Sequence, residues 1–363
     1  MSYDSNRNNR YAGIDILKII SMALITVIHY LGYSSVADNA SLLPLNKVIV
    51  VGLKTLTVTA VNIFPMITGY LICNKKTDMA RPFKLWSEGW FYSFILIFAG
   101  LIVADKVSAA NLLYSVLPFS TMHYWYLTAV IVLYLLSPLL NLIINSVSGE
   151  RLLRYLIITG AFITVYYVTN PFIISDVYIG HARGIVWLSF LYLLGGYLRQ
   201  AKLQSTKAKV LWAFLGIVAF AAIFTIKYFN ISASFRNAQL LSDYSVVPFI
   251  LTLSTFIVFK DIKIKSKNIT KLISLIAECS FGVYLIQEHI MIRGFYWSFF
   301  DANKYANSSL MILQLLCSII IIWPFAFIVH FIFKKLFNLL GIKIYNSAMR
   351  IIASINTKNA KTK

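Results

Sequence analysis

Apolar runs about as long as a bilayer is thick recur along this chain. They lie near residues 13–31, 47–72, 86–104, 124–145, 152–170, 180–198, 210–228, 244–260, 270–292 and 309–333. About 20 apolar residues in helical form span the hydrocarbon core. Composition agrees. Of 363 residues, 59% are hydrophobic and only 13% are charged. A soluble domain is nearer half apolar and a quarter charged. The expected fold class is an all-α integral membrane protein of about ten transmembrane helices. The run from Asn111 to Met122 reads as a short re-entrant or interfacial piece. No internal repeat is visible, so nothing suggests the inverted-repeat plan of many transporters. Cys73, Cys279 and Cys317 sit within or at the ends of apolar runs and form no Cys-x-x-Cys pair. Neither a disulfide framework nor a zinc site is indicated. The first run is longer than a signal core and is interrupted by Lys18, so no cleaved signal is expected.

The formal net charge is +20, which in another chain would point to nucleic acid. Here the positions of the charges decide. With the N-terminus inside, the inner segments hold 24 Lys and Arg, from Arg7 and Arg10 to the tail after Phe333. The outer loops hold five: Lys47, Lys106, Arg236, Arg293 and Lys304. That asymmetry places both termini in the cytoplasm and reads as topology signal and anionic-lipid contact. No nucleic-acid partner is expected. The expected organisation is a cytoplasmic tail over 1–12, a membrane domain over 13–340 and a basic cytoplasmic tail over 341–363. That last tail is amphipathic, and either lies on the inner leaflet or frays.

The first run carries Asp15, Lys18 and His29. Lys18 and His29 are three helical turns and roughly 20° apart, about 16 Å along the axis, and Asp15 shares their side. Each ionisable group at the bilayer centre costs on the order of 2.5–3.5 kcal/mol or more, so this face looks into protein or a wet cavity. Either the end residues snorkel and His29 is a packed, hydrogen-bonded side chain, or the stripe is functional. At the outer depth of His29 the chain also places His123-Tyr-Trp125, His181-Ala-Arg183, and Glu288-His289 with Arg293. Trp125 alone is an ordinary interface residue. Histidines at one depth can titrate, move protons or bind metal. No His-x-x-x-His or His-x-x-Glu spacing supports metal. In the second run, Pro65 is expected to kink the helix, and Thr68-Gly69 to admit another backbone. Lys54, inside that run, calls for a carboxylate or a cavity.

Five stretches together resemble the membrane-bound acyltransferase family 3. They are Ile14-Asp-Ile-Leu-Lys18 with His29, Asn62-Ile-Phe-Pro-Met-Ile-Thr-Gly-Tyr70, Arg81-Pro-Phe-Lys84, His123-Tyr-Trp-Tyr-Leu127 with Tyr134 and Pro138, and Ser280-Phe-Gly-Val-Tyr-Leu-Ile286. They resemble, in order, the family's basic-residue, ten-residue, histidine pattern, its Phe-Phe-x-x-Ser-Gly-Tyr motif, its Arg-x-x-Arg loop, its His-x-Trp-Phe-Leu helix and its Tyr-Leu-Ile-His helix. Here Lys18 stands for an arginine, Thr68 for serine, Lys84 for the second arginine and Gln287 for a common histidine.

The resemblance implies transfer of an acyl group, commonly acetyl from acetyl-CoA, to a carbohydrate hydroxyl at the plasma membrane. Acyl-CoA is then a donor substrate and no bound cofactor is expected. The expected partners are a glycan or lipid-linked saccharide acceptor, membrane lipids and polysaccharide-assembly proteins. His29 is the expected general base, or the carrier of an acyl-histidine. Asp15 and Lys18 are expected in the catalytic set with His29; Lys18 and the Arg81/Lys84 loop orient the anionic donor by charge, beside Thr68 and Gly69. His123, Trp125, Tyr284, Glu288 and His289 support the acceptor side. A transporter of an anionic or glycan-linked substrate is the other reading, using the same buried charges as a pathway. A member that has lost catalysis and serves as an assembly partner is a third.

Overall fold

The computed structural model describes residues 12–34, 36, 42–76, 78–103, 107–121, 123–169, 184–201, 205–229 and 241–361. His181 and Arg183 lie outside the described residues. No strand occurs among the described residues. The helices are α1 (Ala12–Tyr33), α2 (Pro44–Leu56), α3 (Ala60–Ile72), α4 (Ala80–Val103), α5 (Ala109–Val116), α6 (Trp125–Ser146), α7 (Gly149–Thr169), α8 (Ile185–Gln200), α9 (Thr206–Tyr228), α10 (Val246–Phe259), α11 (Lys267–Glu288), α12 (Ile290–Phe299), α13 (Leu310–Leu336) and α14 (Ile342–Lys361). Seven helical stretches among the described residues are long and apolar enough to cross a membrane, and α10 is apolar but shorter. The expected figure of about ten is not reached by that measure. Outward residues such as Ile102, Phe162, Ile217 and Leu313 are exposed and apolar, as a lipid-facing surface requires.

α1 and α11 run parallel and in one register. Ser274 Oγ donates to Asp15 at 2.8 Å near their starts, and His29 Nε2 lies 3.0 Å from Glu288 near their ends. Both contacts join residues 259 apart in sequence. About four turns separate Asp15 from His29, so one stripe of each helix forms the seam. Met22, midway, is 1% exposed and packs with Ile25, Val283 and Tyr284. α13 runs antiparallel to both. Tyr30 OH donates to Gln314 at 2.7 Å near its start, and Lys334 Nζ donates to Glu278 at 2.8 Å near its end.

α3 packs on α8 through two glycines. A Cβ at Gly69 would collide with the Tyr192 carbonyl, and one at Gly195 with the Met66 carbonyl. The backbone approach expected at Thr68-Gly69 is therefore made by α8. The helix continues through Pro65 from Ala60 to Ile72. The irregular turn precedes it, a 3-10 segment at Thr57–Thr59. The Lys54 carbonyl at that turn accepts from Lys227 Nζ at 2.7 Å, a contact made by its backbone and not by its side chain.

The run 270–292 is not one helix. α11 ends at Glu288, His289 is extended (φ −62°, ψ 125°), and α12 begins at Ile290. The His289 carbonyl accepts from Ile292 N and Arg293 N, at 2.9 and 2.8 Å, and so starts the new helix. The break lets neighbouring side chains serve different helices: Glu288 meets α1, while His289 meets α4.

Candidate functional site

The two ends of α1 carry different chemistry. At its start, Lys18 Nζ lies 3.1 Å from Asp15 Oδ1, and Ser274 Oγ donates to the other carboxylate oxygen. Asp15 is 1% exposed and has both oxygens engaged. Three turns along, His29 faces Glu288, with Nε2 3.0 Å from Oε1. Tyr33 OH donates to the same oxygen at 3.2 Å. Trp297 sets its edge to the His29 ring at 6.1 Å and stacks on Tyr33 at 5.9 Å. The Arg293 guanidinium stands 5.9 Å from the Tyr33 ring. The second imidazole nitrogen, Nδ1, is buried and has no hydrogen-bond partner among the described residues. With Nε2–H held by a carboxylate, Nδ1 keeps its lone pair and can accept a proton.

An open cleft of about 590 Å³ adjoins this group, lined among others by Tyr33, Asn111, Arg293, Trp297, Asp301 and Asn303. Side chains of this kind present stacking faces and both donors and acceptors. Arg293 and Glu288 came from the sequence reading. Tyr33, Trp297 and Asn303 did not, because single aromatic and amide residues near helix ends carry no signal.

His123 and His289 form a second pair nearby, with rings 5.4 Å apart. Ile290 N donates to His123 Nε2 at 3.2 Å, which needs a neutral acceptor nitrogen. Burial, with Arg293 acting the same way, pushes His123 below its ordinary value, to about 4. Ser93 Oγ lies 3.4 Å from His289 Nε2 and donates to the Ser115 carbonyl, so it accepts from the imidazole. Tyr284 OH accepts from Tyr126 N at 3.3 Å, and Trp125 sets its ring edge to Tyr126 at 5.3 Å. The structure thus brings His29, Glu288, Tyr33 and Arg293 together, with His123 and His289 beside them. Lys18 and Asp15 stay about three and four turns away.

The Asp15 end of the bundle is cationic. Arg81 lies 5.0 Å over Tyr134, while Arg199 and Lys260 lie 5.1 and 5.9 Å from the Tyr70 ring. Lys84, one turn after Arg81, is half-buried. Asp261 takes Lys260 at 2.7 Å and Lys209 at 3.1 Å. Burial works to raise Asp261, but the two lysines outweigh it and hold the carboxyl below its usual range. The convergence of Arg199 and Lys260 on one aromatic ring is a tertiary event. Thr68 OH donates to the Phe64 carbonyl at 2.9 Å, and α8 covers Gly69.

A further buried group was missed. His330 Nδ1 lies 3.1 Å from Glu88, and its Nε2 3.8 Å from Glu278, which also takes Lys334. The signal was present as four ionisable residues in or beside three apolar runs, but their pairing was not. No group of three or more His, Cys, Asp or Glu that could hold a metal occurs among the described residues.

Compared with known proteins, residues 11–331 match the family model described as an acyltransferase domain, acyltransferase 3. No curated protein matches the chain, and no solved structure does. The matched span runs from the start of α1 into α13 and includes both histidine pairs and the cationic end. This many-helix membrane protein therefore belongs to the membrane-bound acyltransferase family 3.

Proposed function

We propose that this acyltransferase moves an acetyl group from cytosolic acetyl-CoA to a hydroxyl of a cell-surface or lipid-linked glycan at the plasma membrane. The observation that carries the reading is the His29–Glu288 pair beside an open cleft, with His29 Nδ1 left unpartnered. In this reading the acceptor hydroxyl enters from the cleft and donates to Nδ1. Its oxygen attacks the thioester carbonyl as Nδ1 takes the proton. The tetrahedral intermediate collapses, the C–S bond breaks, and the thiolate recovers the proton from Nδ1. Glu288 holds the ring through Nε2–H and offsets the charge that develops on the imidazole.

The anionic end of the donor meets the cations around Tyr70 and Tyr134. Lys18 and Asp15 stand on α1 between that end and His29. Lys18 acts on the donor by its charge, since the rise along α1 keeps it about 16 Å from the reacting atoms.

The test uses membrane vesicles supplied with acetyl-CoA labelled in the acetyl group. The expected outcome is label in glycan, released by mild alkali, with a loss of about 10²–10⁴-fold in His29→Gln at equal membrane level. Label transfer at the wild-type rate in His29→Gln would overturn the assignment. Uptake of labelled glycan without acyl transfer would favour the transport reading instead.

A further inference from the structure

The cleft beside His29 is longer than its chemistry requires. Ile290, Gly294 and Ser298 follow one another at one-turn intervals on α12, and all three line it. Eight residues of helix rise about 12 Å, so the cleft runs along α12 for about that length. Nothing lies within 4 Å of the place a Cβ at Gly294 would take, which leaves the middle of the cleft open. Proton removal concerns one hydroxyl of one sugar. A single pyranose unit lengthens a glycan by less than half of the cleft.

Tyr33 and Trp297 mark the place of the reacting unit, because both line the cleft and both rings contact that of His29. Past Trp297 the lining continues and turns polar, with Ser298, Asp301 and Asn303. This end is built into the fold. Asp301 Oδ1 accepts from Asn303 N at 3.0 Å and so caps the short 3-10 turn Ala302–Tyr305. The Asp301 carbonyl accepts from Gln314 Nε2 at 3.4 Å, and Asn303 Nδ2 donates to the Ser34 carbonyl just past α1. The cap engages Oδ1 of the two carboxylate oxygens. A carboxylate here repels the phosphates of an acyl-CoA, so this end does not suit the donor. It suits hydroxyl groups, which donate to a carboxylate oxygen in short, strong hydrogen bonds.

We propose that the cleft holds at least two sugars of the acceptor: the reacting unit at Tyr33 and Trp297, and its neighbour on Asp301, whose Oδ2 accepts from a hydroxyl of that neighbour. Asp301 is thereby a specificity-determining residue that favours an oligosaccharide or polymer over a single sugar. The inference deepens the glycan-acceptor reading and rests on it.

The probe is the surface glycan of the host cell, stripped of esters by mild alkali, cut by acid and sorted by length. Vesicles holding labelled acetyl-CoA receive these fragments on the outside. Wild type is expected to use fragments of two or more units about tenfold better than the single sugars, in kcat/KM. Asp301→Asn keeps an oxygen to cap the turn and removes the anionic Oδ2. Asp301→Ser also caps and has no second oxygen. Both variants are expected to lose the length preference. A merely structural fault would slow all fragments alike and leave the preference in place. A preference that persists in both variants overturns the inference, as does a wild type that uses single sugars as well as longer fragments. If wild type labels no fragment of any length, the glycan reading fails and the inference falls with it; that failure shows in wild type rather than in the variants.

Discussion

The α1–α11 seam has two ends, built from the same register but finished differently. At Asp15 the carboxylate has both oxygens engaged, by Lys18 and Ser274, inside the protein. At His29 the geometry is as tight, yet polar atoms remain unmade: His29 Nδ1, Trp297 Nε1 and the Gln287 amide. A buried polar group gains nothing from folding until it is bonded. In the proposed function, the first end is finished by the chain itself, whereas the second is completed by the substrates. Buried charge in a membrane helix is thus not by itself a sign of catalysis.

The comparison can be pressed at the buried His330 group, where Nδ1 meets Glu88 at 3.1 Å. His330→Phe leaves the buried Glu88 without its imidazole partner, while Glu278 keeps Lys334. Removing one member of a buried charged group costs about 3–5 kcal/mol. A large fall in the thermal midpoint of the detergent-solubilised protein is expected; an unchanged midpoint would contradict the role. Asp15→Asn is smaller, at about 1–3 kcal/mol. Its effect is expected in stability, with acyl transfer per folded molecule kept within about threefold.

Tyr33→Phe breaks one of the two contacts to Glu288 Oε1. A net loss of about 0.5–1.5 kcal/mol translates into a two- to tenfold slower kcat. Unchanged kinetics would remove Tyr33 from the site.

The smallest effect is in pH. His123, lowered from its ordinary 6.5 to about 4, is neutral in the folded protein. A depressed imidazole contributes stability above pH 6.5 that is lost as pH falls from 6.5 toward about 4. Thermal midpoints of His123→Gln are expected to fall less than wild type across that window. Parallel curves would contradict it.

Much of the helix pattern was readable in the sequence because helical periodicity is local. Asp15, Lys18 and His29 share a side by spacing alone, and runs such as 13–31, 124–145 and 309–333 end within a few residues of their helices, whereas 47–72 and 270–292 each divide into two. What was not readable depends on contacts between distant residues. Glu288 as the partner of His29 is 259 residues away. The break at His289 has no proline or glycine to announce it, and it sends Glu288 and His289 to different helices. Gly69 was legible as a close-approach site, but only the fold shows that α8 fills it. Lys54 drew attention as a charge, although its backbone carbonyl makes the contact with Lys227.

The central claim is that the His29–Glu288 pair performs the chemistry while the Asp15–Lys18 pair does not. The most direct measurement is acetyl transfer from labelled acetyl-CoA to glycan in vesicles, per folded molecule, for Glu288→Gln beside Asp15→Asn. The account predicts a loss of about a hundredfold or more for Glu288→Gln, since an amide no longer holds the imidazole in its working tautomer, and a near-wild-type rate for Asp15→Asn. A Glu288→Gln protein that transfers at the wild-type rate, or an Asp15→Asn protein that is folded and inactive, would contradict it.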